Sequence, residues 1–482
     1  MIQRITSSFV LLLLTLALAT AQTTDTVFDV ADSTRTFTLE NFYQLILNNH
    51  PAVKQVSLLS EVARQEIRLA RGNFDPKLEA AFNSKQLNGK AYYDIFGSSL
   101  KFPTVFPFDP SIGFDRNKGV YLNPERYIDN EFNYQQFYAG ISLPLGRGLF
   151  TDERRTALRQ AELFKDMTEA EQVKMINKLL LDAAKDYWEW YYAYYNYRLL
   201  NRSARIAGEI FSRVKNNYNL GEASAVDTVQ ARITWQQRMI EQQEAFINYK
   251  NSGLQLSNML WDSLSNPVEL DLNLVPALRA DAWSLTPEGL KALVEQARIH
   301  HPDLKKIEVK INQLEAERKL AAEYLKPQLN LNYYAINQPI TPHGDFSLAL
   351  DDNYKIGVDF SFPVFLRKER SKLALTKLKI SNTKFEQSIT ERQIINNLTG
   401  IYNQLSNLQS IMTNQKEMVE SYEKLLEAEL LNLEQGESDL FKINVQQEKL
   451  IQAQTKWLKL LAENEKQKAQ LYWAAGTYRL NN

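Results

Sequence analysis

Apolar residues along the chain follow two periods, which alternate and then repeat. From Val173 they recur in steps of three or four through Ile176, Leu180, Ala183, Tyr187 and Tyr191, and a second run keeps the step through Leu199, Ser203, Ile206, Ile210 and Val214. This is the spacing of one face of a long helix that needs partner helices. The segment carrying it, Leu145 to Asn266, has no proline, and a second proline-free segment runs from Val364 to the C-terminus. Near the middle of each a glycine sits in a polar knot: Asn219-Leu220-Gly221-Glu222 in one, Glu434-Gln435-Gly436-Glu437 in the other. Such a knot marks where one helix ends and the next turns back. Each segment is expected to form a hairpin of two long helices, and roughly 65 residues at ~1.5 Å each make a rod of roughly 100 Å.

Between the helical stretches the period drops to two. Phe137, Ala139, Ile141, Leu143 and Leu145 alternate with Tyr138, Gly140, Ser142 and Pro144; Tyr354, Ile356, Val358, Phe360 and Phe362 alternate with Lys355, Gly357, Asp359 and Ser361. Leu329, Leu331 and Tyr333 alternate with Gln328, Asn330 and Asn332, and a weaker run follows Pro76. Four strands are expected. About ten residues with one apolar and one polar face, edged by Tyr and Phe, is the pattern of a transmembrane β-barrel strand. An ordinary half-buried soluble sheet shares the alternation, but four matching strands behind a secretory leader favour the membrane.

The chain reads as a duplication. Thr38 to Arg71 is a helical stretch broken at Asn49-His50-Pro51, and Thr286 to Glu323 is one broken at His300-His301-Pro302. Pro51 and Pro302, like Pro76 and Pro327, stand 251 positions apart. Two punctuation marks at one spacing argue for a repeat. Pro144 and Pro363 are 219 apart, whereas Tyr187 and Tyr402, like Gly221 and Gly436, are 215 apart. The drop from 251 to 219 puts 32 extra residues in the first copy, between Pro76 and Pro144. The stretch around Tyr92 to Glu131, rich in Gly, Pro, Asn, Asp and Phe, is expected to hold them as a long extracellular loop and not as extra strands.

Composition narrows the compartment and the chemistry. Arg4, an apolar run from Phe9 to Ala17 and Ala19-Thr20-Ala21 make a secretory signal peptide over residues 1–21. No later run approaches the ~20 apolar residues of a spanning helix. Lys+Arg 56 against Asp+Glu 57 gives a net charge of −1 and no attraction for nucleic acid. Cysteine is absent, which excludes disulfides and thiolate metal sites. Histidine occurs only as His50, His300, His301 and His343. His50 and His301 precede helix-breaking prolines, a structural role, and no acidic partner stands at ligand spacing. With no nucleophile, Walker or dinucleotide motif, no catalytic residue, cofactor or metal is expected, and the chain is not read as an enzyme. The aromatic run Tyr187 to Tyr197 reads as helix packing. Four strands cannot close a barrel and eight fill their own lumen, whereas twelve leave room for a pore, so a homotrimer is expected.

The order of leader, helix with a His-Pro break, two strands and a long hairpin with a glycine tip, all repeated, resembles the TolC-like outer membrane efflux proteins. Leu220-Gly221-Glu222 followed by Asp227 to Arg232, the strand exits Ser142-Leu143-Pro144-Leu145 and Ser361-Phe362-Pro363-Val364, and the Tyr187/Tyr402 pair carry the resemblance most specifically. It implies a mixed α and membrane-β fold: two repeats of long coiled-coil hairpins, with four strands per chain closing a twelve-stranded barrel in a trimer. The divisions expected are 1–21, leader; 22–75, linker and equatorial helices; 76–147, strands 1 and 2 with the long loop; 148–265, first periplasmic hairpin; 266–326, linker and equatorial helices; 327–366, strands 3 and 4; 367–482, second hairpin. It further implies an outer membrane channel with its helical part in the periplasm. Partners would be outer membrane lipid, a periplasmic adaptor and an inner-membrane transporter that supplies the energy. Leu220, Gly221, Glu222, Gln435, Gly436 and Glu437 would be the tips that meet the adaptor. The alternative is a periplasmic coiled-coil scaffold without a pore.

At the gate the chain departs from those relatives. The best-known of them close the tip with an acid six residues after the first glycine, held by an aromatic three before and an arginine two after the second. Here Asp227 is the acid, but the other positions hold Leu433 and Ser438, and Lys442 stands where an acid would bind cations. An Asp227–Lys442 pair between adjacent hairpins is a candidate gate. Ser224-x-x-Asp227 is also a capping box, which by itself would account for Asp227.

Overall fold

A computed structural model describes residues 35–221, 223–271, 273–277, 285–337, 353–435 and 437–477. The expected leader, Glu222, Gly436 and His343 lie outside these. The described residues form two interleaved units. One takes residues up to Pro51, Asp186–Ala277 and Lys416–Ala462; the other takes Ala52–Lys185, Leu285–Gln415 and Glu463–Thr477.

Both broken helical stretches form as expected. Helix α1 (Leu39–Asn49) starts at Thr38, whose Oγ1 accepts from the Asn41 N–H at 3.1 Å, and α2 (Pro51–Arg71) follows the His50 break. Their counterparts are α5 (Pro287–His300) and α6 (Pro302–Glu323). Thr286 caps the first, and the Nδ1 of His301 accepts from the Asp303 N–H at 3.2 Å to cap the second. An N-cap that also precedes proline needs extended backbone, which both requirements favour. The long helices are α3 (Glu153–Asn219) and α4 (Ala225–Ser257) in the first hairpin, α7 (Arg367–Glu434) and α8 (Leu440–Ala474) in the second.

In the first unit, β1 (Arg35–Phe37) pairs in parallel with β6 (Leu274–Pro276). The aromatic run of α3 packs here. Trp190, Tyr187 and Tyr191 are fully buried, and Phe37 and Phe42 lie 5.8 Å apart edge to face against them. The Tyr187 hydroxyl donates to the Phe37 carbonyl at 2.7 Å, and Tyr195 donates to the Pro276 carbonyl at 3.0 Å. The rings thus bury apolar area while satisfying carbonyls at the strand ends. In the second unit Ala297 and Leu304 pack on Ile394, Leu398, Ile401 and Leu405 of α7 and on Leu471, Ala474 and Ala475.

The second unit also holds an antiparallel sheet, and here the expectation of four strands is corrected. Its order is β2 (Lys77–Leu87), β3 (Lys90–Lys101), β4 (Asp109–Lys118), β5 (Gln135–Pro144), β7 (Gln328–Asn337) and β8 (Tyr354–Ser361). Six strands are hydrogen-bonded in one sheet, and β3 and β4 occupy half of the stretch expected to be loop. Asn88 and Gly89, at φ 51° and 72°, make the two-residue turn between β2 and β3; Asn-Gly is the commonest sequence for that turn because both residues tolerate positive φ. The β3–β4 link returns to the helix side. There the Phe102 N–H donates to the Pro110 carbonyl at 2.9 Å, and Asp109 pairs with Arg154 of α3 at 2.9 Å. What remains as a loop is the β4–β5 link, residues 119–134.

Candidate channel wall and hairpin tips

Over most of its length the sheet has one apolar and one polar face; Asp94, Arg116 and Lys118 interrupt the apolar one at the ends of β3 and β4 away from the helices. Leu78, Leu100, Ile112, Ala139, Ala335 and Tyr354 form one hydrogen-bonded row across all six strands. Residues directly opposite one another point to the same face. Phe114, Phe137, Leu331, Ile356, Val358 and Phe360 extend that face. The opposite face carries the row Lys77, Lys101, Ser111, Gly140, Tyr334 and Lys355, with Glu79, Asn332 and Asp359. Lys101 pairs with Glu79 at 2.6 Å, and Asn332 donates to Asp359 at 2.7 Å.

Much of the apolar face is exposed. Leu78 is 77% exposed and Phe360 68%, and along β5 Phe137, Ala139 and Ile141 are exposed while Tyr138, Gly140 and Ser142 are half-buried. A soluble sheet hides its apolar face; a sheet curled with its polar face inward suits lipid outside and water inside. Two glycines shape the inner wall. A Cβ on Gly113 would lie 2.2 Å from the Tyr138 ring, and one on Gly140 would lie 2.3 Å from the Tyr334 ring. Each tyrosine therefore lies flat across the neighbouring strand instead of filling the interior. Among the described residues no helix is long and apolar enough to cross a membrane.

At the first tip, Leu220 is exposed and Gly221 has φ +82°, its N–H donating to the Tyr218 carbonyl at 3.0 Å. The Ser224 Oγ accepts from the Asp227 N–H at 3.1 Å, and the Asp227 carboxylate accepts from the Ser224 N–H at 3.1 Å. The capping box is complete, so Asp227 has a local role whatever else it does. At the second tip the Glu437 N–H donates to the Asn432 carbonyl at 2.8 Å, and Gln435 and Glu437 are exposed. Asp439, the counterpart of Ser224, accepts from the Lys442 N–H at 2.9 Å, leaving the Lys442 side chain exposed. Leu433 is half-buried, and Ser438 donates to Glu429. Exposed apolar side chains flank both tips: Val226, Val229 and Ile233 on one, Leu431 and Phe441 on the other.

Sequence reasoning missed a charge that joins the two hairpins. Arg238 of α4 is 5% exposed, pairs with Glu241 at 2.7 Å, and hydrogen-bonds Glu448 of α8. A guanidinium taken out of water needs such partners. Its only signal in sequence is the Arg238/Glu241 spacing of three, which is common on any helix surface.

The family model for outer membrane efflux proteins matches residues 42–260 and 293–477. The chain belongs to the outer membrane efflux protein family. Solved structures of similar fold include the CmeC outer membrane channel of Campylobacter jejuni, at 14% identity and TM-score 0.62, covering 92% of this chain and 87% of that one. CusC aligns at 14% identity and TM-score 0.65, covering 94% and 96%. The MtrE outer membrane channel of Neisseria gonorrhoeae, in its open state, aligns at 15% and 0.63, covering 91% and 89%. A search of curated proteins returns no match. The efflux family's fold accounts for both helical hairpins and the curled sheet.

Proposed function

We propose that this efflux-family chain is a homotrimeric outer membrane channel continued by a periplasmic helical tunnel. It conducts passively what an inner-membrane transporter and an adaptor deliver. The observation carrying this reading is the inverted sheet: an exposed apolar face over a polar inner one, in a chain whose other elements are long helical hairpins. The tips at Leu220–Gly221 and Gln435–Glu437 meet the adaptor, and the exposed apolar residues beside them support a protein-binding role. Asp227 and Lys442 gate the tip.

The test is reconstitution. Purified protein should run as a heat-labile trimer, fractionate with the outer membrane and conduct ions across a planar bilayer. A soluble periplasmic protein with no conductance would sink the reading in favour of a scaffold.

A further inference from the structure

We infer that the two edges of the six-stranded sheet pair between copies, so that the assembled barrel has eighteen strands and a mouth about half as wide again as a twelve-stranded one. This rests on the trimeric reading above and departs from the twelve strands that the family resemblance implies.

Four observations support it. First, β2 and β8 are the edges of the sheet, each hydrogen-bonded to one neighbour only among the described residues. An open edge in lipid leaves backbone groups unsatisfied, so a strand must cover it. Second, the six strands alternate in direction, so β2 and β8 run oppositely. The β2 edge of one copy therefore meets the β8 edge of the next as an antiparallel pair, and the head-to-tail contact closes into a ring. Third, the faces carry through the joint. Leu78, Ala80 and Phe82 on β2 continue the apolar face of Ile356, Val358 and Phe360, while Lys77 and Glu79 continue the polar face of Lys355 and Asp359.

The fourth is the stagger. Following hydrogen-bonded partners from Lys77, the helix-side end of β2, leads through Lys101, Ser111, Gly140 and Tyr334 to Lys355. The helix-side end of β8 is Ser361, six residues further along. Six residues at ~3.3 Å over five steps of ~4.8 Å tilt the strands by about 40°. That is the tilt of a membrane barrel. The added strands β3 and β4 share this stagger and both faces, and their link returns to Arg154, so they span the same belt instead of projecting beyond it. At that tilt eighteen strands enclose a backbone cylinder about 35 Å across, against about 24 Å for twelve. The mouth would accept cargo, or a plugging segment, that a twelve-stranded barrel excludes.

The test exploits the absence of cysteine from the chain. Ala81→Cys on β2 is combined in turn with Gly357→Cys and with Asp359→Cys on β8, the two registers that keep the faces in phase. Oxidation in outer membranes should convert one of the two double variants into a covalent ring of three copies that survives boiling and reverts with reductant. Single variants should show no ladder. End-on electron-microscopy averages of the unmodified trimer should show a barrel wall about 35 Å across, a readout that needs no variant to fold. A conducting trimer with a wall near 24 Å and no β2–β8 cross-link overturns this inference and leaves the channel reading standing. A covalent ring of two copies overturns the strand count, and failure to insert or conduct overturns both.

Discussion

His301 shows how one residue can hold a structural post that is also sensitive to pH. Its Nδ1 must stay unprotonated to accept from the Asp303 N–H. Burial holds its pKa below the ordinary 6.5; nearby Asp303 pulls upward, and Lys174, paired with Asp303 at 2.7 Å, pushes down again. The folded state thus binds this proton more weakly than the unfolded chain does. Stability contributed by neutral His301 is complete above the unfolded value of 6.5 and is lost as pH falls through it toward the lower folded value. His301→Asn keeps a capping side chain without a titrating group. It should flatten the fall in melting temperature on acidification while leaving the neutral-pH value within a few degrees. His50, also lowered by burial, contributes to the slope that remains. Gly221 offers a second test at this scale. A Cβ at this position would meet nothing within 4 Å, so the only intrinsic cost of a side chain is its φ of +82°, roughly 1–2 kcal/mol. Gly221→Ala, which adds strain with little bulk, should retain export. Gly221→Trp should abolish export with normal trimer yield if the tip docks on an adaptor, as measured by export assays in whole cells.

Elements were legible in proportion to how regular their signals are. Both hairpins, the His-Pro breaks and four of the sheet strands could be read because their apolar spacing is unbroken over many residues. Strands β3 and β4 were missed for a physical reason. Their outward positions include Ser98 and Pro110 and their inward ones Gly97 and Gly113, small residues that suit a curled wall and blur the alternation. The Asn88-Gly89 turn was the available signal, in a stretch that has no counterpart in the second repeat. At the tips Asp227 and Lys442 stand out in the sequence, and capping and gating both call for an acid at Asp227. Asp227→Lys loses the capping box, costing ~0.5–2 kcal/mol, and should raise open probability in single-channel recordings. Adding Lys442→Asp cannot restore a cap on α4, so restored closure would report the pair and its absence would leave Asp227 as a cap only. The Arg238 cluster invites a double-mutant cycle. Arg238→Gln leaves Glu241 and Glu448 without their cation; since both are partly exposed, the loss is of order 1–2 kcal/mol, short of a fully buried pair. Glu448→Gln in addition should recover part of the melting temperature.

On the scale of the whole molecule, the two faces of the sheet make opposite demands, and they can be tested separately. Val358 and Asp359 are neighbours on β8, near the middle of a strand eight residues long, and they point to opposite sides. Val358 is 63% exposed, an exposure that water would penalise and hydrocarbon would not. A cation there, Val358→Arg, faces the bilayer interior and should cost ~2–4 kcal/mol of barrel stability, read as loss of heat-resistant trimer from the outer membrane fraction. One position along, Asp359→Lys places the same kind of charge on the inner wall, where it remains hydrated. Trimer yield should be near normal, but the channel should shift toward anions, because an acid that attracts cations has been replaced by a base. The reversal potential under a salt gradient would register the change. Were Val358→Arg to assemble as well as Asp359→Lys, the apolar face would not be in lipid, and a scaffold with an ordinary soluble sheet would fit the molecule better than a channel does.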